Sequence, residues 1–472
     1  MNRGCAPAAP NRRSGRSIAT IARLAGVAGT AALAAVVLAA CSGGTSVGGA
    51  NAAGKTDSSS PFGFKTAAQD ANADITVWVD STRLDAAKAY QKANPAAKIK
   101  IVTYDGNANG SGTLKTKTQL FDKAGSGWPD VVFTTDNNSA SWGSQSPSYF
   151  TAPLNKGLID SSTLSGFAKG ALDPCTVNGT VYCLRNDLAQ DVLWYNKKLM
   201  DQWGYTVPAT WEDYQALAGK VATEHPGYLV GTAGDAWTPE MYMWGSECPA
   251  NQVTGAKAIT VKATDPKCVR AATMLDSLIA NKTMSTLPIF GADFAKTQGS
   301  KVLMMPGPAW YGGAVFQGTI KTPKGEIAVA PALHWADQST PVTGNVGGGA
   351  WWISSHSKNL AAAKAFATWV TTSDAYQADL SPGFPAYSSA AAKWIAKQQA
   401  SGYWANDISA PIIAAAGEVW SGWGSPEFSQ EAVWSKVVIS GMTQGKTIAS
   451  LLPAWQKGIE DQAQVFGYTV GK

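Results

Sequence analysis

The sequence contains few of the residue patterns on which metal binding and nucleophilic catalysis depend. Its 472 residues include three histidines, scattered at positions 225, 334 and 356. It has no Cys-x-x-Cys, His-Glu-x-x-His, Gly-x-Ser-x-Gly or phosphate-binding glycine loop. We therefore expect no metal, no cofactor and no catalytic centre. No internal repeat is visible either.

Net charge is also nearly absent once the first residues are set aside. The chain has 38 basic and 33 acidic residues. Five of the basic residues precede Cys41, namely Arg3, Arg12, Arg13, Arg16 and Arg23. The remaining chain carries 33 residues of each sign, so its charge gives no reason to expect a nucleic acid as a partner.

Residues 1–40 indicate export. The arginines form a positive start, and residues 24–40 are uncharged and mostly Ala, Val and Leu. The ending Leu38-Ala39-Ala40-Cys41 resembles a bacterial lipobox, in which Cys41 is acylated and becomes the mature N-terminus. The alternative is an uncleaved membrane helix, for which 17 weakly apolar residues are near the lower limit. Both interpretations place the rest of the chain outside the cell, and the lipobox predicts a lipid anchor on the outer face of the cytoplasmic membrane.

The chain after the leader divides into a tether and a folded body. Residues 41–72 are rich in Ser, Gly, Ala, Thr, Asn and Asp, so they bury too little apolar surface to fold and are expected to form a flexible tether. About 400 residues follow. This length exceeds what a single hydrophobic core usually supports, so we expect two domains.

Four cysteines remain in the folded body, at positions 175, 183, 248 and 268. An even number in an oxidising compartment predicts disulfide bonds. Three pairings are possible, of which the pairing of sequence neighbours, Cys175 with Cys183 and Cys248 with Cys268, is the simplest.

The folded body begins with alternating strand and helix patterns. Residues 75–79, 98–104 and 130–134 are strand-like, and helical spacing from Leu84 to Asn94 and over residues 114–123 separates them. Further helices are predicted to begin at Thr210, as an N-cap, and near Ser357. This order predicts an α/β fold with a doubly wound parallel sheet, whose ligands lie beyond the carboxyl ends of the strands.

Several segments, in the same order, resemble motifs of the extracellular solute-binding proteins of carbohydrate ABC importers, the group that includes maltose-binding protein. The segments are Trp128-Pro129-Asp130-Val131-Val132, Val181-Tyr182-Cys183-Leu184, Leu193-Trp194-Tyr195-Asn196-Lys197, Pro208-Ala209-Thr210-Trp211-Glu212, Gln298-Gly299-Ser300-Lys301-Val302-Leu303-Met304, Gly307-Pro308-Ala309-Trp310, Gly347-Gly348-Gly349, Ser357-Lys358-Asn359 and Gly383-Phe384-Pro385-Ala386. The sequence departs from the family at Cys183 and Leu184, where the family often has Gly and then Leu or Ile before Pro.

The resemblance implies a type II binding-protein fold of two lobes joined by hinge strands. Residues 73–190 and 331–378 are expected in lobe 1, and residues 191–330 and 379–472 in lobe 2. A carbohydrate would bind between the lobes and close them, and the permease subunits of an ABC importer would recognise the closed monomer. No bond in the ligand would be broken.

A carbohydrate site needs aromatic platforms and planar polar groups. Trp310 and Tyr311 occupy the position at which the family often stacks an aromatic ring on a sugar. The other aromatic candidates are Trp237, Tyr242, Trp244, Phe384 and one of the adjacent Trp351 and Trp352, of which Trp351 is preferred. Core packing is the alternative role for each of them.

The polar candidates are Asp80, Asp136, Asn137, Asn186 and Asp187. Carboxylates accept charge-assisted hydrogen bonds from sugar hydroxyls, although helix caps and turns use the same residues. Gly348, within the triple glycine, is expected to let the backbone approach the ligand or to form a tight turn.

Three other functions are compatible with these residues. A secreted glycoside hydrolase would need two opposed carboxylates, for which no motif is present. A binding protein for an amine, osmolyte or peptide would use the same tryptophans through cation–π contacts. A purely structural surface lipoprotein would bind none of these solutes.

Overall fold

The protein is described by a computed structural model covering residues 62–136, 139–145 and 150–471. The predicted leader, the predicted acylation site Cys41, most of the tether and Asn137 lie outside these residues. Within the described part of the chain, no helix is long and apolar enough to cross a membrane.

The first lobe is built around a five-stranded sheet. In spatial order its strands are Ile99–Thr103, Ile75–Val79, Val131–Thr134, Ala350–Ile353 and Cys183–Arg185. The first three run parallel, as the sequence predicts, and the last two are antiparallel to their neighbours. The strand Val131–Thr134 is buried throughout because helices and loops cover both faces of the sheet.

Two helices cover one face of this sheet. Helix Leu84–Ala93 packs on helix Leu360–Thr372, where the Tyr90 and Phe366 rings lie 5.0 Å apart. The first helix ends at Asn94, as predicted. The second begins three residues beyond Ser357, because the side chain of Asn359 accepts the Ala362 N–H and so caps the helix.

The second lobe is built around a three-stranded antiparallel sheet. Strand Asp191–Asn196 is its buried centre and pairs with Met304–Pro308 and Ile327–Ala330. A parallel pair, Gly231–Thr232 and Met284–Ser285, lies in the same lobe. Helix Trp211–Glu224 begins where the sequence predicts, since the Thr210 hydroxyl accepts the Asp213 N–H at 3.0 Å.

The remaining regular elements of the described residues range from short pieces to the 18-residue helix Ile448–Val465, one side of which packs in the core of the second lobe. The other helices are Thr113–Ala124, Ser139–Gly143, Ser161–Ser165, Lys197–Trp203, Thr238–Gly245, Pro266–Ala280, Ala292–Thr297, Ser388–Ala400, Ser409–Ala416, Gln430–Trp434, Ser440–Met442 and Ile448–Val465. The other strands are Thr176–Val177, Thr180–Val181, Asp187–Leu188, Gln252–Gly255, Ala258–Thr260, Phe384–Pro385 and Thr469–Gly471.

The described part of the chain crosses between the two lobes three times. The first crossing joins strands Cys183–Arg185 and Asp191–Asn196, and the second joins Ile327–Ala330 and Ala350–Ile353. The third runs from Tyr376, in the core of the first lobe, to Trp394, in the core of the second. The crossings pair with one another, since Asp187–Leu188 is antiparallel to Phe384–Pro385 and Gln190 bridges Asn345. They form the connected seam at which two lobes can rotate.

The four cysteines of the folded body lie in two adjacent pairs. The Cα atoms of Cys175 and Cys183 are 5.0 Å apart, and those of Cys248 and Cys268 are 4.6 Å apart. Both separations are within the range of disulfide bonds. The adjacent cysteines are the sequence neighbours of the simplest predicted pairing.

Candidate functional site

A cluster of aromatic side chains lies beside the second crossing. The aromatic cluster consists of Trp237, Phe290, Trp310 and Tyr311, with ring centroids 6.4 Å apart for Trp237–Trp310 and 6.0 Å for Phe290–Trp310. The Trp310 Nε1–H donates to the Val346 carbonyl at 2.8 Å, and the Trp237 Nε1–H donates to the Tyr311 hydroxyl at 3.2 Å. These bonds fix the indoles while leaving part of their faces exposed.

Phe290 is the member of the aromatic cluster that the sequence analysis did not identify. Its side chain is 50 % exposed, which is unusual for a phenylalanine in a folded lobe. Its ring stacks on Trp310 at an interplanar angle of 15°. Together the two rings extend an apolar face of the kind that binds the C–H face of a sugar.

The other predicted aromatic contacts are core residues in this structure. Trp351 is fully buried, and its Nε1–H donates to Asn186 at 2.9 Å. Trp244 stacks on Trp423, and Tyr311 lies beneath the exposed members of the aromatic cluster. Tyr242, Trp352 and Phe384 are also buried. A ligand contact by these side chains stays a prediction, since the structure gives each of them a packing role.

The predicted polar residues Asp80 and Asp187 belong to a buried ion network centred on Arg83. The Arg83 guanidinium lies 3.6 Å from Asp80 and 3.4 Å from Asp187, and it sits over the Phe133 ring at 4.4 Å. The Asn186 amide donates to Asp187 at 2.6 Å. Burial raises the pKa of Asp187, and the positive charge of Arg83 opposes that rise. The network ties the first crossing to the first sheet, which explains why these polar side chains are buried.

Gly348 also serves the crossings in this structure. Its φ is +85°, which favours glycine, and a Cβ there would collide with the Arg185 guanidinium and the Asp187 carbonyl. The Arg185 guanidinium donates to the Gly347 carbonyl. The glycine run therefore lets Arg185 lie against the second crossing.

A group of carboxyl side chains converges next to the aromatic cluster. The acidic group consists of Asp136, Asp191, Asp235, Glu240 and Glu431. Asp136 comes from the first lobe, where it accepts a hydrogen bond from Asn107 at 2.8 Å. Glu240 lies on helix Thr238–Gly245 of the second lobe, and its N–H donates to the Trp237 carbonyl at 2.9 Å. The acidic group therefore has members from both lobes, and Asp235 and Asp191 act electrostatically on Tyr311 of the aromatic cluster.

Burial perturbs the ionisation of the acidic group. It raises the pKa of Asp235 to about 7, although the Ile289 N–H at 3.2 Å favours the charged form. The pKa of Asp191 is raised by burial alone. Burial is also the main cause of the raised pKa of Glu240 and of Glu431, and repulsion from neighbouring carboxylates adds to it. Arg185 is the cation that opposes the rise at Glu240.

The two lobes also touch at a rim away from the aromatic cluster. The rim contacts are a hydrogen bond from the Gln145 amide to Glu427, one from the Ser141 hydroxyl to the Ser425 carbonyl at 2.9 Å, and the Lys115 ammonium 3.7 Å from the centre of the Phe466 ring. Each joins a helix of the first lobe, or in the case of Gln145 the residues just after one, to the C-terminal part of the chain.

Comparison with known proteins places these features in a family. The model of the bacterial extracellular solute-binding proteins matches residues 73–377. No curated protein matches the sequence.

Solved structures with the same fold are numerous, and three illustrate the likeness. An ABC transporter associated binding protein of B. animalis subsp. lactis Bl-04, in complex with beta-1,6-galactobiose, has a TM-score of 0.70 at 20% identity over 84% of this chain and 99% of its own. The galacto-N-biose-/lacto-N-biose I-binding protein of Bifidobacterium longum has a TM-score of 0.67 at 19% identity, over 85% of this chain and 100% of its own. The GacH receptor of Streptomyces glaucescens has a TM-score of 0.60 at 22% identity, over 82% of this chain and 98% of its own.

The sequence match spans more than half of the chain and both lobes, and the fold is that of two-lobed, maltose-binding-protein-like structures. The chain therefore belongs to the family of bacterial extracellular solute-binding proteins.

Proposed function

We propose that the protein captures a mono- or oligosaccharide between its two lobes and delivers it to an ABC importer. The observation that carries the proposal is the aromatic cluster, whose partly exposed rings lie beside carboxyl groups at the junction of the lobes. Similar structures support it, since two of them are saccharide-binding proteins of ABC transporters. We also propose that the protein acts as a monomer whose lobe boundaries lie near those expected from the sequence.

Capture works by a shift between open and closed forms. The saccharide contacts both lobes only when they are closed, so binding stabilises the closed form by the difference in affinity. The rings of the aromatic cluster cover the apolar face of a sugar, and the polar groups of the crossings accept hydrogen bonds from its hydroxyl groups. No bond in the saccharide changes.

Calorimetry of the folded body, residues 62–472, against a panel of mono- and oligosaccharides tests this proposal. We expect saturable binding of at least one saccharide with a negative heat-capacity change, because apolar surface is buried. A parallel incubation should leave the bound saccharide intact. Binding of peptides or osmolytes without binding of any saccharide would overturn the proposal, as would turnover of the saccharide.

We further propose that the protein is exported and held on the outer face of the cytoplasmic membrane by lipid on Cys41. Replacing Cys41 by serine should prevent acylation and release the protein from the membrane fraction into the medium. Fractionation and mass spectrometry of the N-terminal peptide measure both effects. Continued membrane association of the variant, with an uncleaved leader, would favour the alternative membrane helix.

We also propose that the two adjacent cysteine pairs are disulfide-bonded in the exported protein. Replacing Cys248 and Cys268 together by alanine should lower the free energy of unfolding by about 3 kcal/mol, because the closed loop restricts the unfolded chain. The shorter loop between Cys175 and Cys183 should contribute less. Urea unfolding measures both, and alkylation of four thiols in the unfolded, unreduced protein would contradict the proposal.

A further inference from the structure

Two short loops of the second lobe carry exposed rings of the aromatic cluster. The Trp237 loop, residues 233–237, follows the strand Gly231–Thr232. The Phe290 loop, residues 286–290, follows the strand Met284–Ser285. Because these two strands pair in parallel, both loops leave the same edge of the sheet side by side.

The backbones of the two loops are in direct contact. The Ala233 N–H donates to the Ser285 carbonyl at 2.8 Å, which extends the pairing of the strands. At Gly234 the loops approach so closely that a Cβ would lie 2.3 Å from the Thr286 carbonyl oxygen. Only glycine allows this approach, and the residue that follows it is Asp235.

Asp235 joins the two loops through its side chain. The Ile289 N–H donates to the Asp235 carboxyl group and lies 3.2 Å from each of its oxygens. Ile289 is fully buried and Asp235 is 4 % exposed, so loss of this acceptor would leave a buried N–H unpaired at a cost in free energy. The next residue, Phe290, has a half-exposed ring, so the backbone bond at Ile289 contributes much of what fixes its position.

The same residue also fixes the end of the Trp237 loop. The Asp235 carbonyl accepts the Thr238 N–H at 3.1 Å and the Thr238 hydroxyl at 2.7 Å. These bonds hold the start of helix Thr238–Gly245 and the tryptophan that precedes it. Asp235 therefore acts on both loops, through its side chain on one and through its backbone on the other.

We propose that Asp235 is a positioning residue of the saccharide site, whose carboxyl group holds the Ile289 N–H and so keeps the Phe290 ring on Trp310. The inference rests on the proposed function and concerns a residue that acts through another. The Phe290 ring centroid lies 6.0 Å from that of Trp310 and 6.3 Å from that of Trp237. A displaced Phe290 loop would therefore change the shape of the apolar face that the saccharide meets.

Calorimetry of two variants at position 235 tests the inference. Asp235→Ala removes the acceptor and should weaken saccharide binding about tenfold. Asp235→Asn retains one acceptor oxygen for the Ile289 N–H and should bind within about threefold of the unmodified protein. The probe is whichever of cellobiose, maltose and lactose the unmodified full chain, kept in mild detergent, binds most tightly. Unchanged affinity in Asp235→Ala would overturn the inference.

A double-mutant cycle with Phe290→Ala shows whether Asp235 acts through the phenylalanine ring. Phe290→Ala should itself weaken binding of the same probe. Adding Asp235→Ala to it should cause little further loss, because the ring that Asp235 positions is already gone. If the two losses of affinity multiply instead, Asp235 acts by another route and the inference is overturned.

Asp276→Ala is the matched control for loss of a carboxyl group that holds backbone. The Asp276 carboxyl group accepts the Ile448 N–H at 2.6 Å and the Ala449 N–H at 2.9 Å, at the start of helix Ile448–Val465 in the same lobe. Its replacement should lower the melting temperature and leave the affinity of the folded protein unchanged. A loss of affinity equal to that of Asp235→Ala would mean that both variants act through general stability, against the inference.

Hydrogen exchange in the ligand-free full chain tests the positioning without any saccharide. We expect the amides of residues 286–291 to exchange at least about tenfold faster in Asp235→Ala, while those of helix Trp211–Glu224 exchange as before. Unchanged exchange in residues 286–291 would overturn the inference. If none of the three saccharides binds the unmodified protein, the proposed function loses its support, and the exchange result alone decides whether Asp235 holds the Phe290 loop.

Discussion

Replacing Trp310 by alanine is expected to weaken saccharide binding at least tenfold. The indole is held by its bond to the Val346 carbonyl and presents a partly exposed face next to Phe290. Removal of the ring deletes the stacking surface and also leaves Phe290 without its neighbour. A tenfold loss of affinity corresponds to about 1.4 kcal/mol of binding free energy, which is modest for an aromatic side chain at the centre of a site.

A matched control separates this effect from a general loss of packing. Trp203 is also partly buried, and it stacks on His225 outside the aromatic cluster. Trp203→Ala should lower the melting temperature but preserve the affinity of the folded protein. If Trp310→Ala binds the saccharide as tightly as the unmodified protein, the aromatic cluster is not the sugar platform.

The ligand-free protein should be more stable in mild acid than in mild base. The pKa values of Asp191, Asp235, Glu240 and Glu431 are raised in the folded state, whereas in the unfolded chain they lie near 4. Between these values the folded protein binds more protons than the unfolded chain, so the free energy of unfolding falls as pH rises. Each extra bound proton contributes about 1.4 kcal/mol per pH unit. For Asp235 the loss runs from about pH 4 to about pH 7.

Thermal unfolding between pH 5 and pH 8.5, with ligand absent, measures this dependence. The variant Asp191→Asn should flatten the profile and raise the melting temperature at pH 8, since it removes a buried charge without changing the shape of the side chain. Asp213→Asn, which removes one exposed carboxylate on helix Trp211–Glu224, is the surface control. A profile that is flat from pH 5 to pH 8 would show that the acidic group is ionised in the free protein, with pKa values near those of the unfolded chain.

Local patterns were sufficient to predict the elements that depend on neighbouring residues. The strand Ile75–Val79, the helix that ends at Asn94 and the cap at Thr210 follow from hydrophobic spacing and from side chains that bond within one turn. The antiparallel strand Ala350–Ile353 could not be placed in the first sheet by such patterns, because it pairs with strands more than 150 residues earlier.

The candidate site was predicted only in part for the same reason. Trp237 and Trp310 lie in the aromatic cluster, but the burial of Trp351 depends on helix Leu360–Thr372 and on Asn186. Glu240 and Glu431 lie 191 positions apart in the chain, so no local motif could bring them together. Phe290 carries no local signal beyond its neighbour Pro288.

The rim contacts have a consequence for transport. Gln145, Ser141 and Lys115 contact the C-terminal part of the chain through protein atoms alone, so these contacts favour the shut form whether or not solute is bound. A larger shut fraction means that less of the solute's intrinsic affinity is consumed in bringing the halves together. Shut molecules without solute also bind the permease, where they compete with solute-loaded molecules. Stronger rim contacts therefore raise the apparent affinity for solute, and they also raise the share of importers occupied by solute-free binding protein.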